Sequence, residues 1–219
     1  MQPTHSPQEV QSVALHVETW TMVPSGTAYL PIMTLDGQPI PVPQPQVPSK
    51  GWGGYRLVVI KRSRPALDGV RLNKAYDVET GNASGYTKVF TTMLDDLGGI
   101  TDPGQHFFVL ATYGMLNSFP PVPKFLHLMR EAGAGPQLDE WLDSSRGIGT
   151  AYISADVNYI QAGVMNCGQG RGKEKVGVYT FPLNPKDRIQ HTDILNTTID
   201  SLGVGDSSVL VPAESQAGA

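Results

Sequence analysis

Glycine and proline punctuate this chain densely, at 24 and 18 of its 219 residues. Proline removes a backbone donor and fixes φ, while glycine loses the most freedom on ordering, so regular elements are confined to the gaps between them. Short strands, many turns and long connections are the expectation. The two residue types amount to about a fifth of the chain, short of the ~25–30% that marks low complexity. Apolar residues make up 40% of the chain and charged residues only 16%, against a usual ~25% charged, which excludes a polyelectrolyte or a chain disordered throughout. The single cysteine, Cys167, excludes an intrachain disulfide. A core must therefore hold the fold, and the length allows one domain.

The net charge of −4 provides no whole-protein basic field, so nucleic acid is not an expected partner. No stretch approaches the roughly 18 apolar residues of a membrane span, and a membrane is not expected either. Met1–Glu9 lacks the positive and apolar regions of a signal peptide, which gives the expectation of a chain made and folded in a cytoplasm. Asn82-Ala83-Ser84 and Asn196-Thr197-Thr198 match the glycosylation sequon. Without a secretory signal they are read as chance matches.

Hydrophobic periodicity divides the chain into three parts. In residues 1–50, Val13, Leu15 and Val17 alternate with Ala14, His16 and Glu18, which predicts a half-buried strand. A second strand is predicted over Ala28–Leu35, a turn at Asp36-Gly37, and polyproline II over Gln38–Lys50, where prolines stand at 39, 41, 43, 45 and 48. This part reads as an N-terminal arm. Residues 51–183 read as a compact domain with strands over Tyr55–Ile60, Arg71–Val78, His106–Thr112, Thr150–Ala155, Tyr159–Val164 and Lys175–Phe181. Val89, Phe90, Met93, Leu94 and Leu97 share one helical face ended by Gly98-Gly99, and a second helix runs from Pro123 to a stop at Gly133. Residues 184–219 read as a C-terminal tail, with Asp193–Leu202 open between short helix and strand. The fold class is thus a strand-rich α/β or α+β domain with extended N- and C-terminal arms.

The order of these elements carries a family resemblance. Gly51-Trp52-Gly53-Gly54 precedes the strand Tyr55–Ile60; Ala75-Tyr76-Asp77-Val78 ends a strand in an aromatic and an aspartate ahead of a helix at Tyr86–Leu97. Phe107–Tyr113 is a buried strand with a small-residue-then-tyrosine exit, and Tyr159–Val164 is followed by Gly168, Gly170, Gly172 and Glu174. Over Trp52–Phe181 the chain resembles the interleukin-like EMT inducer/PANDER family, the GG domain, in a microbial or phage version. The resemblance implies two sheets with helices and a non-catalytic recognition role, related domains being associated with carbohydrate or protein binding. Secreted animal members carry paired cysteines and a signal peptide, and this chain shows neither.

Residues that could carry chemistry are few. Cys167 has possible histidine partners in His106, His127 and His191, but glycines rather than a base surround it in sequence. Gly168-Gln169-Gly170-Arg171-Gly172-Lys173 fails the phosphate-loop spacing, with Cys167 where a glycine belongs and Glu174 where Ser or Thr belongs. It reads as a flexible hairpin or bulge. His16 and Glu18 share a strand face, yet two ligands do not make a metal site. Asp95-Asp96 reads as a solvated helix face, and no carboxylate pair for hydrolysis is singled out. The loop Tyr113–Pro121 is more promising: Tyr113, Asn117 and Phe119 are the candidate binding residues, suited to stacking and hydrogen bonding. A plainer reading has Phe119 stapling the next helix and Met115 filling the core. No catalytic residue, metal ligand or cofactor is expected.

These readings converge on a non-enzymatic structural and recognition subunit of a larger assembly, of the kind found in phage tails or fibres. The expected partners are other protein subunits, met through the terminal arms, with a glycan as a second candidate ligand. A free carbohydrate-binding module is the alternative and a hydrolase the third.

Overall fold

The computed structural model describes residues 12–21, 29–43, 53–78, 83–116, 120–145, 155–180, 187, 189–200 and 203–204. Its elements run β1 (Val13–Trp20), β2 (Ile32–Leu35), β3 (Gln38–Pro39), β4 (Gly54–Lys61), β5 (Val70–Asp77), α1 (Ala83–Gly98), β6 (His106–Tyr113), β7 (Met115–Leu116), α2 (Pro123–Glu131), α3 (Pro136–Ser145), β8 (Ala155–Val164), β9 (Lys173–Thr180), β10 (Thr192–Asp200) and β11 (Gly203–Val204). The strands form two antiparallel sheets. One has the order β11-β10-β1-β2-β3; the other has β5-β4-β6-β8 continuing to β9, with β7 also paired to β8. The fold is strand-rich α+β.

The second sheet is the middle of three layers, and its composition explains why. Every residue of β6 and β8 is buried, as is all of β4 except Lys61. An antiparallel sheet with one wet face would alternate polar and apolar positions; these strands read as continuous apolar runs because both faces are covered. Tyr55, Leu57, Phe108, Leu110 and Tyr159 pack with Phe90, Met93, Phe125, Met129 and Trp141 of the helices. On the opposite face, Val58, Ile60, Phe107, Val109 and Ile160 pack with Val13, Leu15, Val17, Met33, Leu35, Leu195 and Ile199 of the first sheet. The helices follow the same logic. Phe90, Met93 and Leu97 are the buried face of α1, as their spacing predicts, and α2 buries Phe125 and Met129.

The arms expected at either end are not arms. β1, from the first 50 residues, pairs along its whole length with β10, from the last 36, in register from Val13↔Ile199 to Trp20↔Thr192. Neither strand has a second layer of its own, so each buries its apolar face only by packing on β4, β6 and β8. The boundaries at 50 and 183 therefore cut through one shared core. Where Asp193–Leu202 was open between helix and strand, alternation of buried Asp193, Leu195 and Ile199 with exposed Ile194, Asn196 and Thr198 decides for strand. The expected strands over Thr150–Ala155 and Tyr159–Val164 are represented by one ten-residue strand, with 150–154 outside the described residues. β2 is shorter than the expected Ala28–Leu35, Ala28 also lying outside them. α3 has no counterpart among the expectations, although Pro136 and the i, i+3, i+4 spacing of Leu138, Trp141 and Leu142 carry the helical signal.

A buried arginine fastens the start of the proline tract. Arg56 on β4 is fully buried and its guanidinium donates to the carbonyls of Pro31 (2.5 Å), Ile40 (3.0 Å) and Pro41 (3.0 Å). Asn73 on β5 donates to the Pro41 carbonyl as well, at 2.7 Å. Burial pulls the Arg56 pKa down to about 10, which still leaves it cationic at neutral pH. Prolines lack the N–H that would place this segment in a ladder, and the planar fork supplies the missing donors instead. Arg56→Met takes the side-chain donor from the Pro31 and Ile40 carbonyls, while Asn73 still serves Pro41, at about 1–3 kcal/mol for each group that water does not reach. We expect a loss of about 2–5 kcal/mol in urea denaturation, and an unchanged midpoint would mean that the clasp contributes nothing.

Asp96 on α1 is a tie rather than a solvated charge. It accepts from Tyr76 Oη (2.7 Å) and from Lys74 Nζ (2.6 Å), joining the helix to β5. Partial burial pushes its carboxyl pKa up, but the two donors outweigh this and hold it below the usual value. A carboxyl depressed in the folded state stabilises fully above its unfolded pKa of about 3.9, and that contribution is lost as pH falls through the folded value. The gap in melting temperature between the native chain and Asp96→Asn is therefore expected to be widest at neutral pH and to close in strong acid. A gap independent of pH would show that the carboxylate charge is not what holds the helix.

Candidate functional site

The exit of β6 is built by a glycine pair. Gly53 has φ +86°, and a Cβ there would lie 2.1 Å from the Tyr113 carbonyl oxygen; a Cβ on Gly54 would lie 2.5 Å from Tyr113 Oη. Glycine at both positions lets the Tyr113 ring cross β4. Tyr113 is 1% exposed, and its hydroxyl donates to Asp77 Oδ1 at 2.5 Å. Burial, with the neighbouring Asp77 charge, pushes the phenol pKa far up. Tyr113 therefore offers no ring face to a ligand, contrary to the expectation of a binding residue there. An aromatic leaving a strand into a loop reads as exposed, but the glycine pair draws this one inward. Asn117 and Phe119 lie outside the described residues.

The glycine-rich stretch is a strap across the α2–α3 turn. Gly168, Gly170 and Gly172 donate their N–H groups to the carbonyls of Glu131, Ala134 and Gly133, each at 2.9 Å. Those amides are thus engaged, where an anion-binding loop would need them turned outward. The close approach needs bare backbone on both sides. A Cβ on Gly163 would lie 1.9 Å from the Ala132 oxygen, and one on Gly133 would lie 2.5 Å from the Gly172 nitrogen. Gln161, fully buried in β8, donates to the carbonyls of Met129 (2.8 Å) and Ala132 (3.0 Å), filling acceptors that the end of α2 leaves open. Cys167 sits beneath the strap at 5% exposure. Burial raises its pKa above the ordinary value, which keeps it a thiol.

Two further polar clusters are also spent on structure. Tyr159 donates to Glu174 Oε1 at 2.5 Å, below Trp141, whose ring centroid lies 5.5 Å from its own. Asp193, at 5% exposure, accepts from Tyr179 Oη (2.6 Å) and Asn158 Nδ2 (3.0 Å), while Tyr179 stacks on His191 at 3.9 Å. These contacts join β9 and β8 to β10. Burial raises the phenol pKa of both tyrosines.

The surface least committed to the fold is the outer face of the first sheet. Parity places Ala14, His16, Glu18 and Trp20 of β1 there, with Ile32 and Thr34 of β2 and Thr192, Ile194, Asn196 and Thr198 of β10. The register sets these in rows: Trp20 opposite Thr192, Glu18 between Ile32 and Ile194, and His16 between Thr34 and Asn196. Ile32 and Ile194 are each 44% exposed. His16 Nδ1 donates to Asn196 Oδ1 at 2.7 Å, and its Nε2 lies 3.8 Å from Glu18 Oε2. The pair His16 and Glu18 shares a strand face as the sequence implies, and among the described residues no cluster of three metal-ligating side chains forms. The sequence reading missed Ile32 and Ile194 on this face because it left β10 unassigned and treated β1 and β2 as an arm. No protein-family profile matches this chain, and no curated protein sequence matches it.

Proposed function

We propose that the chain is a non-enzymatic structural and recognition subunit of a larger assembly, and that it meets a neighbouring protein subunit through the outer face of its first sheet. The observation that carries this reading is the row Ile32–Glu18–Ile194, which sets two half-exposed β-branched side chains in the middle of a sheet face that otherwise carries His16, Thr34, Thr192, Asn196 and Thr198 with Ala14 and Trp20 toward its ends. Aliphatic residues beside a carboxylate suit a protein surface, which can bury the former and pair the latter. The buried acids, phenols and thiol described above are engaged between elements, which supports a binding role over a chemical one. The more specific assignment, to a phage tail or fibre, rests on the sequence resemblance to microbial GG domains. No helix among the described residues is long and apolar enough to cross a membrane.

A glycan is the second reading, favoured by Tyr29 at 54% exposure and by Trp20 on the same face as Ile32. The test is an Ile32→Lys, Ile194→Lys double variant. Both side chains point outward, so its melting temperature should stay close to that of the native chain, while its incorporation into the particle, read as native mass by light scattering, should be lost. Normal incorporation would remove the sheet face from the interface. Retention of an arrayed glycan, abolished by Trp20→Ala or Tyr29→Ala, would establish the sugar reading instead.

A further inference from the structure

A second surface brings two cations into one cleft. At the end of β4 and the starts of β5 and β6 lies an open cleft of about 550 Å³, lined in part by Lys61, Arg71, Thr101, Asp102, Gln105 and His106. Its geometry follows from three local features. Lys61, last in β4, is directly opposite His106, first in β6, so the two side chains leave the same face of the sheet. Arg71 is the extra residue of a β-bulge: Val59 pairs with Leu72 and Ile60 with Val70, leaving Arg71 without an opposite number. A bulge of this kind re-aims the side chain it carries. Asp102 takes φ +53° at the entry to the short turn Pro103–Gln105, and its carbonyl accepts from His106 Nδ1 at 3.1 Å. That bond holds the imidazole in place and leaves Nε2 outside it.

Four cations elsewhere are paired with carboxylates. Arg64 pairs with Asp68, Lys74 with Asp96, Arg130 with Asp139 and Lys175 with Asp193. Lys61 and Arg71 have no such partner among the described residues, and neither do Lys88, Lys124, Arg171 and Lys173; what distinguishes the first two is that both line one cleft. Asp102 opposes them, and so does the carbonyl end of α1 at Gly98, worth about half an elementary charge. Two full cations still outweigh these, but the surplus suits one negative charge better than two. A planar carboxylate matches the fork of Arg71 and the point charge of Lys61. Thr101, Gln105, Asp102 and His106 Nε2 add donors and acceptors suited to hydroxyl groups. The volume is that of a small-ligand site.

We infer that this cleft binds a small hydroxylated carboxylate, with Arg71 and Lys61 holding the carboxylate and the Thr101–His106 segment meeting the hydroxyls. The inference is independent of the sheet face proposed as the interface. Sodium D-glucuronate is the probe, with D-glucose as the uncharged control and inorganic phosphate as the control for charge alone. Titration of the isotope-labelled full chain should shift the His106 and Gln105 resonances with glucuronate, and far more weakly with glucose or phosphate. Lys61→Gln and Arg71→Gln should each weaken glucuronate binding roughly tenfold or more, the scale of one charge-assisted hydrogen bond. Because both side chains are exposed, the melting temperature of either variant should not change, which separates lost binding from lost folding. Phosphate binding as tightly as glucuronate would overturn the inference, since the hydroxyl contacts would then contribute nothing. So would equal binding of glucose, full affinity in either variant, or no glucuronate response.

Discussion

Removing residues 1–50 is expected to abolish cooperative folding rather than to free a compact domain from an arm. The deletion takes away β1, β2 and β3 and with them Val13, Leu15, Val17, Met33, Leu35 and Ile40, none more than 3% exposed. At roughly 1.5–3 kcal/mol for each buried side chain, the loss is on the order of 9–18 kcal/mol, as large as the whole stability of about 5–15 kcal/mol of an ordinary domain. It also exposes the face of the central sheet formed by Val58, Ile60, Phe107 and Val109, and it takes from Arg56 the carbonyls that solvate its charge. Removal of residues 184–219 acts on the same core through Leu195, Ile199 and Val204 and leaves β1 without its neighbour on that side. Both truncated chains should bind a hydrophobic dye and show no sigmoidal urea transition. A cooperative transition of undiminished steepness in either would mean that the first sheet is dispensable, and would restore the reading of these segments as arms.

That reading failed for a reason rooted in chain order. β1 and β10 are about 180 residues apart in sequence yet adjacent in the sheet, with His16 opposite Asn196, and periodicity reports the face a strand buries without naming its neighbour. Val13, Leu15 and Val17 were legible as a half-buried strand because their alternation is local. The central strands were legible because Phe107–Leu110 and Leu57–Ile60 are continuous apolar runs between turn signals, and the helices because Phe90, Met93, Leu97, Phe125 and Met129 keep helical spacing. What the sequence did not disclose was how polar residues are spent. Tyr113 looked like an exposed aromatic, but Gly53 and Gly54 open a path that takes it inward to Asp77. The cleft cations show the limit most clearly. Lys61 and Arg71 stand on separate strands, and the bulge that aims Arg71 is a property of pairing, invisible until β4 and β5 are laid side by side.

Phe108 and Val109 separate the two halves of the core, because they are neighbours in β6 that point to opposite faces. Phe108 lies in the cluster formed with the helices and Val109 in the cluster formed with the first sheet, and both are fully buried. Aspartate at either position places a carboxylate inside a packed apolar cluster; the buried Arg56 shares the face of Val109, opposite Ala111, but its guanidinium is already engaged with backbone carbonyls. Desolvation of the carboxylate alone costs several kcal/mol unless the group is neutralised, and the lost side chain adds about 3–5 kcal/mol at a phenylalanine site or roughly 1.5–3 at a valine. Each total approaches or exceeds the stability of an ordinary domain, so both variants should be unfolded at neutral pH by near-ultraviolet circular dichroism. Phe108→Leu and Val109→Ala should remain folded with lowered urea midpoints, which shows that charge and not merely volume is rejected. If Val109→Asp folds while Phe108→Asp does not, water reaches the inner face of the first sheet, and the helices with the central sheet hold the chain together without it. Retention of native structure by both would place the core elsewhere and overturn the three-layer account.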